Sequence, residues 1–260
     1  NGTLATFNGS KVGSKFIIDK ILHSADGKAR ARGPASLSNS GFEKLDTKNV
    51  SIFIDTLSSV NKVFSRTPHA IEINTGKSKL LGSCGNLYGK SMEWKNLLLS
   101  GSAHSCLTIE DTNAFTGKDL HQKTVSKRYR KNNTEIADLA HYGYFNRFGA
   151  ICSRTLELGE NGKDIAGLDK VLCDNIYKFS IRFHFSPHVK VSPSIDKKSA
   201  IIITNEYGWN FIYEGDVKLY SEPSIFIDDD GKIQKSTQLL LTGMTNKKRV
   251  EILWGLKRTN

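Results

Sequence analysis

The sequence predicts an all-β protein, a large antiparallel sandwich of the supersandwich kind with few short helices. Three observations carry this. In "YKFSIRFHFSP", Phe179, Ile181, Phe183 and Phe185 alternate with Lys178, Ser180, Arg182 and His184, and a period of two means a strand with one buried and one wet face. "KRVEILWGLKR" repeats the pattern with Val250, Ile252, Trp254 and Leu256. Between such runs stand tight-turn signals, and many short strands at that spacing argue for a sandwich.

The turns follow one another along the chain. "GFEKLDTKNVSIFID" reads as two strands turning near Lys48-Asn49. "TLELGENGKDIAGL" turns at Glu160-Asn161-Gly162, where Asn-Gly supplies the positive φ that hairpins need. "AIIITNEYGWNFIYEG" turns from Asn205 to Gly208, and "SIFIDDDGKIQKSTQLLL" uses Asp230-Gly231. Helix is scarce. Lys15 to His23 could form two or three turns or a strand, and "NTEIADLAHYG" reads as a short helix or as extended chain. With neither repeat nor Pro/Gly/Ser linker, one domain over 1–260 is the simplest organisation. Trp209 and Trp254 read as core.

Composition narrows the function classes. The chain has 260 residues, 38% hydrophobic and 24% charged, which suits a globular protein with a sizeable core. No run of about 18 apolar residues is present, so no membrane span is expected, and no signal peptide is visible at the start. The net charge of +11 favours polyanionic partners in general. The densest basic run, Lys123 to Asn133, reads as a solvated strand or loop. No helix-turn-helix, zinc-finger or RNA-recognition signature accompanies it, so no nucleic-acid partner is expected.

Self-sufficient catalytic motifs are missing. There is no Rossmann fingerprint, P-loop, H-E-x-x-H or G-x-S-x-G elbow. Cys84, Cys106, Cys152 and Cys173 are far apart with no C-x-x-C pair. That argues against a zinc ribbon and leaves small buried thiols, or one disulfide, open. Of the seven histidines, His184 and His188 stand four apart in a strand-turn context, which does not place both on one face. "SGSAHSCLTIEDT" sets His104 among small residues ahead of a strand, where it either approaches a ligand or has its ring satisfied by backbone.

Eight stretches, in order, resemble the C-terminal β-sandwich of heparinase II/III-like proteins, especially the bacterial branch. They are "NGTLATFNG", "SGFEKLDTKNVSIFID", "PHAIEINTGKSKLLGSCGN", "EWKNLLLSGSAHSCLTIEDT", "AHYGYFNRFGAICSRTLEL", "IRFHFSPHVKVS", "GWNFIY" and "ILWGLKR". The resemblance implies a polysaccharide lyase, or a relative, acting on an acidic glycan by β-elimination. It also implies an N-terminal α/α toroid in the same protein, as a partner that carries the tyrosine acid or base. The rival reading is a non-catalytic glycan-binding or structural sandwich with a degenerate site.

Carried over residue by residue, the resemblance matches His104 to the histidine of an A-H-N/S-T motif, a zinc ligand in zinc-binding members. Ser83 stands where the family has aspartate in L-L-V-D, and the family's H-x-H-x-D segment is not reproduced. Only His69 is available there, at a shortened distance from Glu72. One surviving ligand does not make a four-ligand site, so neither zinc nor another cofactor is expected. His69 and His104 are the catalytic candidates. Trp94, Lys95, Tyr142, Tyr144 and Arg147 are the substrate-binding candidates, offering stacking and a carboxylate clamp; packing is the alternative for each. Two explanations fit the absent toroid, a piece of a longer protein or a stand-alone domain that has lost catalysis. The second would be inactive, and the first inactive by itself. Family lyases are commonly exported, with a cytosolic branch left open.

Overall fold

A computed structural model of the chain describes residues 41–56, 67–76, 78–85, 91–116, 124–228 and 230–259, apart from the Lys95 side chain. The segments around Lys15 to His23 and "NGTLATFNG" lie outside the described residues. The described chain forms two antiparallel sheets. The first runs in the order β1 (Phe42–Asp46), β2 (Val50–Asp55), β3 (Ile71–Thr75), β4 (Ser78–Gly82), β10 (Lys178–Phe185), β15 (Ile233–Met244) and β14 (Lys218–Ile227), with β5 (Leu107–Ile109) also paired to β10. The second runs β11 (Lys190–Pro193), β12 (Ser199–Ile203), β13 (Gly208–Glu214), β16 (Arg249–Arg258), β9 (Asp164–Leu172), β8 (Ile151–Leu158), β7 (Thr134–His141) and β6 (Thr124–Lys131). The helical segments are α1 (Met92–Leu98), a 3₁₀ turn (Gly101–Ala103) and α2 (Phe145–Phe148).

The core fills the space between the inner faces. Phe179, Ile181, Phe183 and Phe185 of β10 meet Trp209, Phe211 and Trp254 from the second sheet. Phe183 stands edge-on to Phe211 and Trp254, with ring centroids 5.1 and 4.9 Å away. Burying each such aromatic contributes roughly 1.5–3 kcal/mol, so the alternating strands gain most by lying face to face. The expected turns form. Gly162 (φ 65°) closes β8–β9, and Gly231 (φ 76°) closes β14–β15. In the β1–β2 turn the Thr47 hydroxyl accepts from the Val50 N–H, and the Thr204 hydroxyl organises the β12–β13 turn.

"NTEIADLAHYG" takes the extended of its two alternatives, as strand β7: β6 and β7 form a hairpin whose turn, Asn132-Asn133, has φ of 46° and 63°. Asparagine tolerates this left-handed region, so two in succession build the primed turn that glycine usually marks. The basic run Arg128–Lys131 is thus part of an edge strand.

The sequence expectation for β10 is revised. Its supposed wet face is covered: Ser180, Arg182 and His184 are all buried. The strand lies in the middle of its sheet with β5 paired beside it, and residues on either side of β5 meet its outer face: the Ser102 carbonyl at His184 and Asp111 at Arg182. Arg182 donates to the Thr108 hydroxyl (2.8 Å) and the Asp111 carboxylate (2.7 Å). Buried polar groups persist where they find such partners.

Candidate functional site

The outer face of the first sheet carries a cleft of about 420 Å³, roofed on one side by α1 and lined by Cys84, Trp94, Ser102, His184, Ser224 and Gln238 among others. Helix α1 sits there because Leu98 and Trp94 pack on a small apolar group of Cys84, Ala103 and Ile227. Meanwhile Met92 and Leu97 remain exposed. Among the described side chains the lining contains no lysine or arginine.

His184 presents one ring edge to this cleft. Its Nε2 lies 3.0 Å from the Ser102 carbonyl oxygen. A carbonyl only accepts, so Nε2 carries the proton and Nδ1 keeps a lone pair. That lone pair accepts from the Ser224 hydroxyl at 2.9 Å, with the Cys84 sulfur 3.5 Å away. Burial first, then the neighbouring His104 ring, push the His184 pKa down to about 3, so the ring is neutral.

His104 lies one layer beneath. It is almost fully buried, and its Nε2 donates to the Leu98 carbonyl at 2.9 Å. Burial also lowers its pKa. Its Nδ1 has no hydrogen-bond partner among the described residues. Ser83, at the position where the resemblance expects aspartate, forms an isolated antiparallel bridge with His104. His104 therefore fastens the C-terminal end of α1 to the strand that carries the cleft.

His69 occupies a different place, buried and in the left-handed region (φ 61°). Its ring stands edge-on to His141 at 4.8 Å, and its carbonyl accepts from Arg154 at 2.8 Å. Burial, then His141, then Arg154 drive its pKa well down. Burial and Arg154 likewise bring His141 down to about 3.

Tyr144 and Arg147 join this second cluster. The Tyr144 ring lies 5.7 Å from His141, and its hydroxyl donates to the Thr112 carbonyl at 2.9 Å. Burial raises its pKa well above the ordinary value. Arg147 donates to the Thr112 hydroxyl and to the carbonyls of Asn113 and Ala114, and its guanidinium lies over the Tyr144 and Phe148 rings. Together they hold the loop whose Asn113 side chain caps the Gly101 N–H at 2.8 Å, beneath the 3₁₀ turn that carries Ser102. Tyr142 is exposed, its ring edge-on to Phe145.

The sequence candidates thus fall in two groups. Trp94 lines the cleft with His104 behind it, while His69 and Tyr144 flank the buried His141 and Arg147 lies over the Tyr144 ring. The Lys95 side chain lies outside the described residues. Sequence reasoning missed His184, Ser102, Ser224 and Gln238. For His184 the only available signal was its place on the polar side of a strongly alternating strand.

Two features define the class: a two-sheet antiparallel sandwich, and a histidine-bearing cleft outside one sheet. The chain belongs to the heparinase II/III-like family, since the model of that family's C-terminal domain matches residues 29–255. A heparan sulfate lyase HepC mutant from Pedobacter heparinus is similar in structure with a TM-score of 0.78 at 12% identity, over 98% of this chain and 44% of its own. A heparinase III gene product with methylated lysines gives 0.76 at 12% identity, over 99% and 43%. A heparinase III crystal structure gives 0.66 at 11%, over 84% and 35%. At these identities the likeness is one of fold, and the chain spans less than half the length of these solved structures. No curated protein sequence matches it. Among the described residues no helix is long and apolar enough to cross a membrane. All four cysteines are buried free thiols.

Proposed function

We propose that this chain is the sandwich half of a polysaccharide lyase that cleaves an acidic, uronate-containing glycan by β-elimination. It forms one wall of the site. The observation that carries this reading is the cleft under α1, where an indole, three serines, an amide and an imidazole line one opening on the sheet's outer face.

Elimination needs a neutralised carboxylate, a base near C5 and a proton donor for the leaving oxygen. In this reading Trp94 stacks on a pyranose ring, and Ser102, Ser224 and Gln238 meet sugar hydroxyls. Lys95, the residue after Trp94, is the candidate cation for the uronate carboxylate. His104 acts as a positioning residue through the Leu98 carbonyl, and His69 does the same through the Arg154 cluster. The base comes from elsewhere. The His184 Nδ1 lone pair accepts from Ser224, the His104 ring is buried with its Nε2–H on the Leu98 carbonyl, and the Tyr144 hydroxyl is committed to Thr112. A tyrosine of an N-terminal helical toroid in the same protein fills that need.

The rival, a glycan-binding sandwich without catalysis, is favoured by the same committed rings. A β-elimination assay separates the two. The ultraviolet absorbance of the unsaturated uronate product is followed on heparin, heparan sulfate and alginate, with the longest native form and with the 260-residue chain. Product from the long form alone is expected. Product from the 260-residue chain would put the base in this chain. Binding without product from the long form would leave the rival.

A further inference from the structure

The cleft and the His141 cluster meet at the loop Thr112 to Ala114. Ser100 stands at the N-cap of the 3₁₀ turn without giving it a side-chain cap; its hydroxyl donates to the Leu97 carbonyl at 2.5 Å instead. The Gly101 N–H at the head of the turn is left for another partner, and the Asn113 side-chain oxygen accepts it at 2.8 Å. Gly101 is buried and pressed onto β5, where a Cβ would stand 2.7 Å from the Thr108 methyl. Asn113 is held in turn from the second cluster, since Arg147 donates to its carbonyl and to that of Ala114. A buried N–H left unpaired is costly, so the Asn113 side chain decides where the head of this turn rests. The tail is tied by the Ala103 N–H to the Ser100 carbonyl and by the Cys84 N–H to the Ala103 carbonyl. Ser102 lies between these anchors, and its carbonyl accepts from His184 Nε2 at 3.0 Å.

The tautomer of His184 decides what Ser224 can offer a ligand. With the proton on Nε2, Nδ1 is a lone pair and takes the Ser224 proton at 2.9 Å. A serine has one proton and two lone pairs, so what Ser224 then turns to the cleft is an acceptor. With the proton on Nδ1 the bond would reverse, and Ser224 would present a donor. The ring stays neutral through the physiological range, so only these two forms compete. The Ser102 carbonyl favours the first, because it accepts a proton from Nε2 and would face a lone pair in the second. Moving that carbonyl therefore changes the polarity of Ser224 without touching it.

We propose, resting on the reading of this cleft as one wall of a glycan site, that Asn113 is a positioning residue for it. By seating the Ser102 carbonyl, Asn113 holds His184 in the Nε2–H tautomer and so sets Ser224 as the acceptor for a sugar hydroxyl that donates. Arg147 supports the same device by holding the Asn113 main chain. The two groups of candidate residues, one at the cleft and one around His141, thus act on the same hydroxyl.

The test uses the 260-residue chain with isotope-labelled imidazole nitrogens, read by nuclear magnetic resonance, and tetrasaccharides of heparan sulfate and of alginate as probes. The His184 signals are assigned by their loss in His184→Gln. In the wild-type chain Nε2 is expected to carry the proton and Nδ1 to be bare. Asn113→Ala is expected to draw the two nitrogen signals together, as both tautomers become populated. It is also expected to weaken binding of the glycan that the wild type holds by about tenfold. Asn113→Asp, whose carboxylate still accepts from the Gly101 N–H, is expected to restore both. A wild-type His184 with its proton on Nδ1 would overturn the proposal without any variant. So would an Asn113→Ala chain that melts lower while tautomer and affinity stay as in the wild type, which is how a merely structural residue behaves. A wild-type chain that binds neither glycan sinks the glycan reading of the cleft instead, and the ring signals of Asn113→Ala then decide the positioning role by themselves.

Discussion

Arg154 and Asp169 face each other across β8 and β9, sealed between the two sheets. Arg154 Nε reaches Asp169 Oδ1 at 2.6 Å, and its second amino group reaches Oδ2 at 2.9 Å. The remaining nitrogen donates to the carbonyls of His69 and Ser105, from the opposite side of the sandwich. Trp254 Nε1 completes the carboxylate at 2.8 Å. One ion pair thereby ties the second sheet to the residues before β3 and β5 of the first. Ser105 continues the link: its hydroxyl accepts from the His184 N–H and donates to the Gly82 carbonyl, next to the cleft.

Asp169→Asn is expected to cost about 3–5 kcal/mol, because it leaves a buried guanidinium without its counter-charge. Chemical denaturation checks this. Replacing both partners by apolar residues of similar volume is expected to cost less than the single change, since no unpaired charge remains. Equal cost for the two would mean that the main-chain contacts of Arg154, rather than the pair, hold the sheets together.

Gly167, opposite Trp254 in the β9–β16 register, is expected to tolerate no side chain. A Cβ there would stand 2.1 Å from the indole Cζ2. The indole cannot retreat, being held by Asp169 and packed edge-on to Phe183. Gly167→Ala is therefore expected to destabilise by about 1–3 kcal/mol, read as a lower denaturation midpoint. Gly149→Ala is the control for crowding. Nothing lies within 4 Å of a Cβ there, so only its positive φ is disturbed.

Acid is expected to weaken the fold well above the carboxylate range. His141 and His184 are pushed down to about 3 by burial, from an ordinary value of 6.5. Their neutral form belongs to the folded state, so this stability is complete above pH 6.5 and is lost as pH falls from 6.5 toward 3. Protonation of the unfolded chain removes about 2 kcal/mol per ring by pH 5. His69 and His104 shift in the same direction. Urea midpoints at pH 7.5 and pH 5 measure the loss, and His141→Asn is expected to reduce the difference. Equal midpoints would mean that water reaches these rings.

The architecture was legible because alternation is a local signal. Val250, Ile252, Trp254 and Leu256 declare the inner face of β16 without reference to any other strand. The covering of β10 was not legible. Whether Arg182 and His184 meet water depends on Ser102, Thr108 and Asp111, brought from another part of the chain, which no pattern within β10 records. The Asn132-Asn133 turn escaped because its positive φ angles need no glycine. The cleft was half legible. Trp94 and His104 come from the resemblance, whereas Cys84, Ser102 and Ser224 reach His184 from segments distant in sequence, and small polar residues carry no sign of what they will face.

His104→Ala decides between a structural and a catalytic histidine. Its Nε2–H satisfies the Leu98 carbonyl at the end of α1. Truncation leaves that buried oxygen unpaired, at about 1–3 kcal/mol, and adds the loss of a packed ring. A melting temperature lower by several degrees is expected, with α1 loosened and glycan affinity reduced only as far as Trp94 is displaced. His104→Gln, whose amide offers a donor in place of Nε2, is expected to recover part of the stability. Turnover by the longest native form, measured well below the melting temperature, separates the roles. Activity that recovers with stability in His104→Gln fits a residue that positions the cleft wall. A stable His104→Gln that binds glycan and yields no product would make His104 a participant in the chemistry, and the ring beneath the wall would have to reach the sugar during the reaction.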